Sequence, residues 1–153
     1  MWDYIGFLSP LILIIMNIYF LLPNRVYLFG YVAVMFANHY LNKGVKNIIQ
    51  EARPDNQVPF ISLDTTEHDV YGMPSGHAQS VFYSSTFLLL TSFSYALLVV
   101  LFVICTCTIF QRYLYRRHTL EQLGIGAIVG TCIGYITFVC LEKMDKTSAV
   151  SYT

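Results

Sequence analysis

The stretch Gly72-Met73-Pro74-Ser75-Gly76-His77 lies between a polar loop and a long uncharged apolar run. Proline lacks the backbone N–H that would have no partner at the first helical position, so Pro74 predicts a helix start. The N–H groups of Ser75, Gly76 and His77 would then be free at the positive end of the helix dipole, where anions bind. Gly76 lets a ligand approach the backbone closely, and His77 puts a proton donor beside it. A plain helix start with a polar first turn would have the same pattern, so the anion site needs support from the rest of the chain.

The amino-acid composition is typical of a membrane protein. Hydrophobic residues make up 56% of the 153 residues and charged residues 12%, against about 25% charged in soluble proteins. The mean hydropathy is +0.55, and the length suits one membrane-embedded domain over residues 1–153. The formal net charge is zero, so nothing predicts a nucleic-acid partner.

Charged residues are distributed unevenly, and the uncharged runs between them predict an all-α bundle with five transmembrane spans. A run of about 20 apolar residues is long enough to cross a bilayer. The third run is long enough for two spans, with a turn at Thr91-Ser92-Phe93-Ser94. The first run has neither a basic leader nor a small-residue cleavage site, which favours a retained span over a cleaved signal. The predicted spans are Tyr4 to Asn24, Val26 to Asn42, two within His77 to Gln111, and Gln122 to Leu141.

Small residues in the apolar runs are expected to serve packing. Gly126, Gly130 and Gly134 recur every four residues on one face of the last predicted helix, which predicts close contact with a neighbouring helix. The cysteines have no metal-ligand spacing, so we expect small buried hydrophobic side chains and neither a disulfide nor a zinc site. They are Cys105, Cys107, Cys132 and Cys140.

Two basic residues precede the central stretch. Lys46 and Arg53 are seven residues apart, close to two helical turns, so both would lie on one helical face. Pro54 disfavours helix at the residue before it, so the helix is expected to end near Arg53. A basic helix end whose side chains reach the membrane surface would have the same pattern. In the polar loop Asp55 to Tyr71, His68 is either catalytic or, more simply, a solvated loop histidine.

A charged connector from Arg112 to Glu121 joins the fourth and fifth predicted spans. With five spans, this connector and the segment 43–75 lie on the same side of the membrane. Three cations and the N–H groups of a helix end suit a phosphoryl group, and two histidines suit covalent phosphoryl transfer, one as nucleophile and one as general acid. No Asp/Glu cluster in the sequence has metal-ligand geometry, so we expect neither a metal nor another cofactor. The face would collect Lys46, Arg53, Ser75, Gly76, His77, Arg112 and His118.

The three motifs together resemble the signature of the type 2 phosphatidic acid phosphatase (PAP2) superfamily, which includes the vanadium haloperoxidases. They read Lys46-x6-Arg53-Pro54, Pro74-Ser75-Gly76-His77 and Arg112-x5-His118. The resemblance implies that His118 attacks phosphorus to form a phosphohistidine and that His77 protonates the leaving oxygen. It also implies that the phosphoryl oxygens are held by Lys46, Arg53, Arg112, the Ser75 hydroxyl and the Gly76 N–H. The family commonly has six spans, so the missing one would lie before the Lys46 helix.

Two positions depart from the family pattern. The family usually has Ser before the arginine of the third motif, where this chain has Gln111, which puts one hydrogen bond to the phosphate in doubt. It usually has an Asp four residues after the nucleophile to orient the imidazole, where this chain has Gln122. Gln122 either accepts from the imidazole N–H or caps the helix in a Thr119-x-x-Gln122 capping box. Glu121 is a possible substitute for the Asp, although it points about 100° away around the helix.

Glutamine at this position also indicates one branch of the family. The stretches Gly72 to Gln79 and His118 to Gln122 resemble the dolichyl diphosphatase branch. That resemblance implies a membrane lipid substrate, a polyprenyl diphosphate, with the site on the lumenal side of the endoplasmic reticulum, or in a cell membrane if the protein is not of the eukaryotic type. The alternatives are a phosphatase for phosphatidic acid, a lysolipid phosphate or a sphingoid phosphate, and a non-catalytic relative that binds lipid phosphate or a partner. A vanadate-dependent oxidase fits less well, because such enzymes are typically soluble and larger.

Overall fold

The computed structural model of the chain describes residues 2–60 and 70–150, and the side chains of these ranges up to residue 146. Helices dominate both ranges and confirm the predicted all-α fold. The connection after the second helix contains an isolated antiparallel bridge between Ala52 and Tyr71. The helices are α1 (Trp2–Leu21), α2 (Arg25–Ile49), α3 (Gly76–Thr91), α4 (Tyr95–Leu114) and α5 (Leu120–Val150).

Within the described ranges, three helices are long and apolar enough to cross a membrane. These are α1, α4 and α5, each reaching a mean hydropathy of 2.0. α3 has 16 residues and rises about 24 Å, less than the roughly 30 Å of a bilayer's hydrocarbon core. α2 is 25 residues long but carries polar and basic residues along its second half. The five predicted spans therefore correspond to five helices, of which three satisfy both length and composition on their own.

Short polar side chains start the helices where the sequence predicts turns. The Asn24 Oδ1 accepts hydrogen bonds from the N–H groups of Val26 and Tyr27 at 3.0 and 3.3 Å and so caps α2. The Ser94 Oγ accepts from the Leu97 N–H at 3.1 Å and caps α4. Such caps satisfy N–H groups that have no partner inside the helix. The predicted turn at residues 91–94 is therefore confirmed.

α5 packs along α3 through the predicted glycine face. A Cβ added at Gly126 would lie 2.7 Å from the carbonyl oxygen of Ser75, and one added at Gly134 would lie 2.8 Å from that of Tyr83. A side chain at Gly130 would overlap the carbonyl oxygen of Gln79. The two backbones therefore touch, which small residues permit in membrane helices. This contact holds the start of α5 against the start of α3.

Apolar side chains and hydrogen bonds join the remaining helices. Leu13 of α1 packs with residues of α3 and α4 in one buried cluster. Tyr31 of α2 stacks on Tyr83 of α3 with ring centroids 5.4 Å apart, and the Tyr83 hydroxyl donates to the Tyr31 carbonyl at 2.8 Å. The Thr108 hydroxyl of α4 donates to Ser9 Oγ of α1 at 2.8 Å. Such hydrogen bonds stabilise helix contacts where no water is available.

α2 ends earlier than the sequence predicts. Its last residue is Ile49, and Gln50 follows in the left-handed region at φ 54°, with its N–H donating to the Lys46 carbonyl. A left-handed residue closes a helix because it turns the chain away while satisfying a terminal carbonyl. The prediction that Lys46 and Arg53 lie on one helical face is therefore wrong. Lys46 lies on the last turn of α2, and Arg53 lies in the extended segment that follows.

The cysteines are free thiols, as expected, but their surroundings differ. Cys105 and Cys107 are half-buried in α4, whereas Cys132 and Cys140 are exposed on α5. The prediction of buried side chains is wrong for the latter two. An apolar run in a membrane helix does not distinguish the protein core from the lipid-facing side, because both are apolar.

Candidate active site

His118 lies in the tight turn between α4 and α5 and is only 2% exposed. Arg116 adopts a left-handed conformation at φ 52°, and the Arg117 N–H donates to the Arg112 carbonyl at 2.9 Å. These contacts fold the chain back at the end of α4. Arg112 on the last turn of α4 and His118 are therefore brought to the same end of the bundle.

Gln122 both orients His118 and caps α5. Its Oε1 lies 3.2 Å from His118 Nδ1 and also accepts from the Thr119 N–H at 3.3 Å. The Thr119 hydroxyl accepts from the Gln122 N–H at 3.2 Å, which completes the capping box. One conformation of Gln122 thus makes both of the predicted contacts, so the two are not alternatives.

A carboxylate that the sequence reasoning missed lies behind Gln122. The Gln122 Nε2 donates to Glu51 Oε1 at 2.8 Å and to the Ala52 carbonyl at 2.9 Å. Glu51 is half-buried, whereas Glu121, the carboxylate considered from the sequence, is exposed. The sequence did contain a hint of a role for Glu51, because this residue lies inside the first motif, two residues before Arg53. The hydrogen bond between Glu51 and Gln122 could not be predicted from spacing, because the two residues are 71 positions apart in the sequence.

α3 begins later than predicted, which changes the set of free N–H groups. Ser75 is the N-cap and Gly76 the first helical residue, so Pro74 lies before the cap and not at the first helical position. The Ser75 Oγ accepts from the Ala78 N–H at 3.5 Å, and the Ser75 N–H donates to the Gln122 carbonyl at 3.0 Å. The predicted free N–H of Ser75 is therefore wrong. Gly76 and His77 supply the N–H groups of the first turn, which have no partner within the helix.

His77 follows at the second helical position and contacts α4 and α1. Arg112 Nη2 lies 3.2 Å from His77 Nδ1. A guanidinium can only donate, so Nδ1 is the acceptor and the neutral ring carries its proton on Nε2. The Phe7 backbone is a further hydrogen-bond partner of the ring, and the Phe7 side chain lies under the Arg112 guanidinium, 5.8 Å from its ring centroid.

The three predicted cations surround His118. Burial, and then the charges of Arg53, Arg112 and Lys46, hold the pKa of His118 well below its ordinary value. The ring is therefore neutral at pH 7, as a nucleophile must be. Arg53 Nη1 also donates to the Arg117 carbonyl at 3.4 Å, which ties the first motif to the third.

Buried amides connect Lys46 to the start of α3. The Asn42 Nδ2 donates to the Pro74 carbonyl at 3.2 Å and to Gln79 Oε1 at 2.8 Å. The Gln79 Nε2 donates in turn to Asn38 Oδ1 at 2.7 Å. Asn38, Asn42 and Lys46 are four residues apart and therefore share one face of α2. This face, all of it buried, holds Lys46 in register with Ser75, Gly76 and His77.

A cavity of about 790 Å³ opens beside His118. This volume is within the range of about 300–1,000 Å³ that small-molecule sites occupy. Its walls come from the segment after α2 and from the connection between α4 and α5. Besides His118, its lining includes Pro54, Asp55, Tyr113, Leu114 and Leu120.

The two remaining candidate residues lie elsewhere. Gln111 is completely buried and packs against α1, where its Cβ lies 2.5 Å from the place that a Cβ would take at Gly6. Neither polar atom of its side chain has a hydrogen-bond partner in the part of the chain that the structure describes. His68 lies outside the described residues. In the described ranges, no three His, Cys, Asp or Glu residues are grouped as metal ligands would be.

The chain is similar to known membrane phosphatases. The pattern that defines the PAP2 superfamily matches residues 27–146. A dolichyldiphosphatase from Saccharomyces cerevisiae is 27% identical over 129 residues, which cover 75% of this chain and 52% of that protein. The chain thus spans about half the length of this relative. The crystal structure of a transmembrane PAP2 type phosphatidylglycerolphosphate phosphatase from Bacillus subtilis matches with a TM-score of 0.65 at 19% identity, over 95% of this chain and 74% of that chain.

Proposed function

The chain belongs to the PAP2 superfamily, and we propose that this integral membrane protein is a lipid phosphatase that acts through a phosphohistidine. The observation that carries the proposal is that residues of three distant motifs meet around His118. The charges of Lys46, Arg53 and Arg112 act on this buried imidazole, and Arg112 also contacts His77. A neutral histidine close to three cations is suited to attack a phosphoryl group, whose charge the cations offset.

The first half-reaction uses both histidines. The Gln122 Oε1 holds the Nδ1–H of His118, so the lone pair of Nε2 is available to form a bond to the terminal phosphorus. The P–O bond to the leaving oxygen breaks, and its electron pair goes to that oxygen. Arg112 turns from His77 Nδ1 to the phosphoryl oxygens, the ring takes up a proton at Nδ1, and the resulting imidazolium gives its Nε2 proton to the leaving oxygen in place of the Phe7 backbone. The products are the dephosphorylated lipid and phosphorylated His118.

The second half-reaction returns the enzyme to its starting state. His77, now a neutral imidazole with its proton on Nδ1, takes a proton at Nε2 from water as the water oxygen forms a bond to phosphorus. The P–N bond to His118 breaks, and its electron pair returns to Nε2. Inorganic phosphate leaves, His118 keeps its Nδ1 proton, and His77 is again the imidazolium that began the reaction. The same residue thus acts as general acid and then as general base.

Positive charge for the phosphoryl oxygens comes from side chains and a helix end. Lys46, Arg53 and Arg112 carry three charges, and the N–H groups of Gly76 and His77 lie at the positive end of the α3 dipole. This set resembles the phosphoryl clamps that stabilise developing charge in other transferases and hydrolases. We therefore expect turnover without an added divalent metal.

The proposed substrate is a polyprenyl diphosphate, which would be converted to the monophosphate. The similarity to a dolichyldiphosphatase and the Gln122 that replaces an Asp both support this choice. An endoplasmic reticulum membrane with a lumenal site would follow from it. A glycerolipid or sphingoid phosphate would present the same terminal phosphoryl group to His118, so the alternative differs in the lipid and not in the chemistry.

Phosphate release by the purified protein in detergent tests the proposal. A polyprenyl diphosphate and phosphatidic acid are offered in parallel, with EDTA present. The variants are His118→Ala and, as the matched control, His39→Ala, which removes an exposed histidine of α2. We expect release from the diphosphate by the wild type and by His39→Ala, and none by His118→Ala. Preference for phosphatidic acid would replace the substrate, and release by His118→Ala at the wild-type rate would contradict the mechanism.

A further inference from the structure

The amide of Gln122 is bonded on both sides, and the chemistry of its neighbours fixes its orientation. On one side lie Glu51 Oε1 and the Ala52 carbonyl oxygen, at 2.8 and 2.9 Å. A carboxylate and a carbonyl only accept hydrogen bonds, so the amide NH₂ must face them. On the other side lies the Thr119 N–H, which only donates, so the amide oxygen must face it. Reversing the amide would place oxygen against two oxygens.

This orientation determines which nitrogen of His118 carries the proton. The Gln122 oxygen is 3.2 Å from His118 Nδ1 and can only accept. The neutral imidazole must therefore donate from Nδ1, and its lone pair lies on Nε2. If the NH₂ group of Gln122 faced the ring, Nδ1 would have to accept, and Nε2 would carry the proton. The partner of the amide NH₂ thus selects the tautomer.

The backbone around Glu51 leaves Gln122 no room to turn away. The Gly72 N–H donates to the Glu51 carbonyl at 2.7 Å. A Cβ added at Gly72 would lie 2.6 Å from Gln122 Cδ, so the glycine backbone is packed directly on the amide. The bridge between Ala52 and Tyr71 holds the two segments together. The segment of the first motif that contains Glu51 and the segment that contains Gly72 therefore both pack against this side chain of α5.

We propose that Glu51 is a positioning residue that fixes the nucleophilic tautomer of His118 through Gln122. The chain His118–Gln122–Glu51 takes the place of a direct histidine–carboxylate pair, with the negative charge moved one side chain further from the ring. Glu51 orients the amide and, by accepting its hydrogen bond, makes the amide oxygen a better acceptor for Nδ1–H. The proposal rests on the function proposed above for His118.

Enzyme kinetics with a double-mutant cycle test whether Glu51 acts through Gln122. We expect Glu51→Ala to lower kcat by about 10- to 100-fold with little change in KM, because the substrate phosphate touches other residues. Glu51→Gln keeps an oxygen that can accept and should lose less. Glu51→Ala should add nothing in the Gln122→Ala background. Glu142→Ala, which removes a carboxylate towards the other end of α5 that pairs with Lys146, should stay within about twofold of wild type.

The ¹⁵N chemical shifts of the histidine rings in the purified protein provide a second test, which does not require turnover. His118→Ala identifies the His118 signals. We expect a protonated Nδ1 and an unprotonated Nε2 in the wild type and in Glu51→Gln. In Glu51→Ala we expect partial conversion to the other tautomer, because the Ala52 carbonyl and the Thr119 N–H still favour the original orientation of the amide. Unchanged His118 shifts in Glu51→Ala, or a loss of kcat that persists when Gln122 is already Ala, would overturn the proposal. A wild type that hydrolyses no lipid phosphate would overturn the proposed function instead, while the shifts would still decide the role of Glu51.

Discussion

Arg112 Nη2 lies 3.2 Å from Nδ1 of His77, on the side of the ring away from the proton that a general acid would give. Because a guanidinium cannot accept, the contact keeps the His77 proton on Nε2. The charge of the same arginine also lowers the pKa of His118. One side chain of α4 therefore affects the protonation of both histidines, together with burial and Arg53 in the case of His118, although His77 belongs to α3 and His118 to the turn before α5.

The proposed acid role of His77 predicts a dependence on the leaving group. His77→Asn should lower kcat/KM, which reports the first half-reaction, by about 10²- to 10⁴-fold on a polyprenyl diphosphate, the usual size of a general-acid contribution. The loss should be much smaller on an aryl phosphate with an acidic phenol, because that oxygen leaves without a proton. Parallel kinetics on both substrates measure the difference. Equal losses on both would contradict the acid role.

The depressed pKa of His118 predicts the acid side of the pH profile. Burial and the charges of Arg53, Arg112 and Lys46 lower this pKa, so the imidazole remains neutral to below about pH 6.5, the ordinary value for histidine. Activity requires the neutral His118 ring, so the fall in kcat/KM on the acid side should lie below that pH. The pH dependence of kcat/KM is measured with two substrates whose phosphate groups ionise at different pH. A fall that occurs at the same pH with both substrates belongs to the enzyme. A shared fall above pH 6.5 is the opposite of what we expect.

The glycine face of α5 predicts two opposite responses to the same substitution. Gly130→Ala places a Cβ 2.9 Å from the Tyr83 nitrogen of α3, and the forced separation should cost about 1–3 kcal/mol. Gly124→Ala meets nothing within 4 Å and should be neutral or stabilising, since alanine favours helix by about 1 kcal/mol. Thermal unfolding in detergent compares them. A Gly130→Ala variant as stable as Gly124→Ala would show that the helices do not pack this closely.

Exchanging the residue types of Glu51 and Gln122 should restore activity that is lost when Gln122 alone is changed to Glu. Gln122→Glu alone places two carboxylates against each other at the 2.8 Å contact, which disfavours ionisation of both and should reduce kcat. Adding Glu51→Gln restores one donor and one acceptor, and it puts the carboxylate next to His118. We expect the double variant to recover activity that the single variant loses, as steady-state kinetics would show. A double variant slower than Gln122→Glu would count against the pairing.

Much of the fold could be predicted from the sequence because charge is so sparse. Runs without charge give the helices, and Asn24 and Ser94 give the caps between them. The glycine spacing in α5 gives its contact with α3. The end of α2, in contrast, could not be predicted from the sequence. Pro54 marked a limit for the helix, but the left-handed Gln50 closes it at Ile49, four residues before Arg53.

The candidate site was predictable as a set of residues, and less so as a set of contacts. Linear motifs were enough to select His118, His77 and the cations as candidates, because a motif records residue type and spacing. The Ser75 N–H was assigned to a ligand, whereas it is bonded to the backbone of Gln122. Glu51 was missed because its partner lies 71 residues away. Hydrogen bonds between distant segments depend on tertiary packing, which spacing alone does not encode.

Trapping the covalent intermediate would distinguish a phosphohistidine from direct attack by water on the lipid phosphate. Wild-type protein is mixed with a polyprenyl diphosphate labelled in its terminal phosphate, quenched in alkali during turnover, and mapped by mass spectrometry. We expect one phosphoryl group on His118 and none in His118→Ala. With an aryl phosphate whose oxygen leaves without a proton, the phosphoryl group should accumulate in His77→Asn, because attack by water is slowed. Turnover without a phosphoryl group on the protein, or with one on a residue other than His118, would contradict the phosphohistidine mechanism.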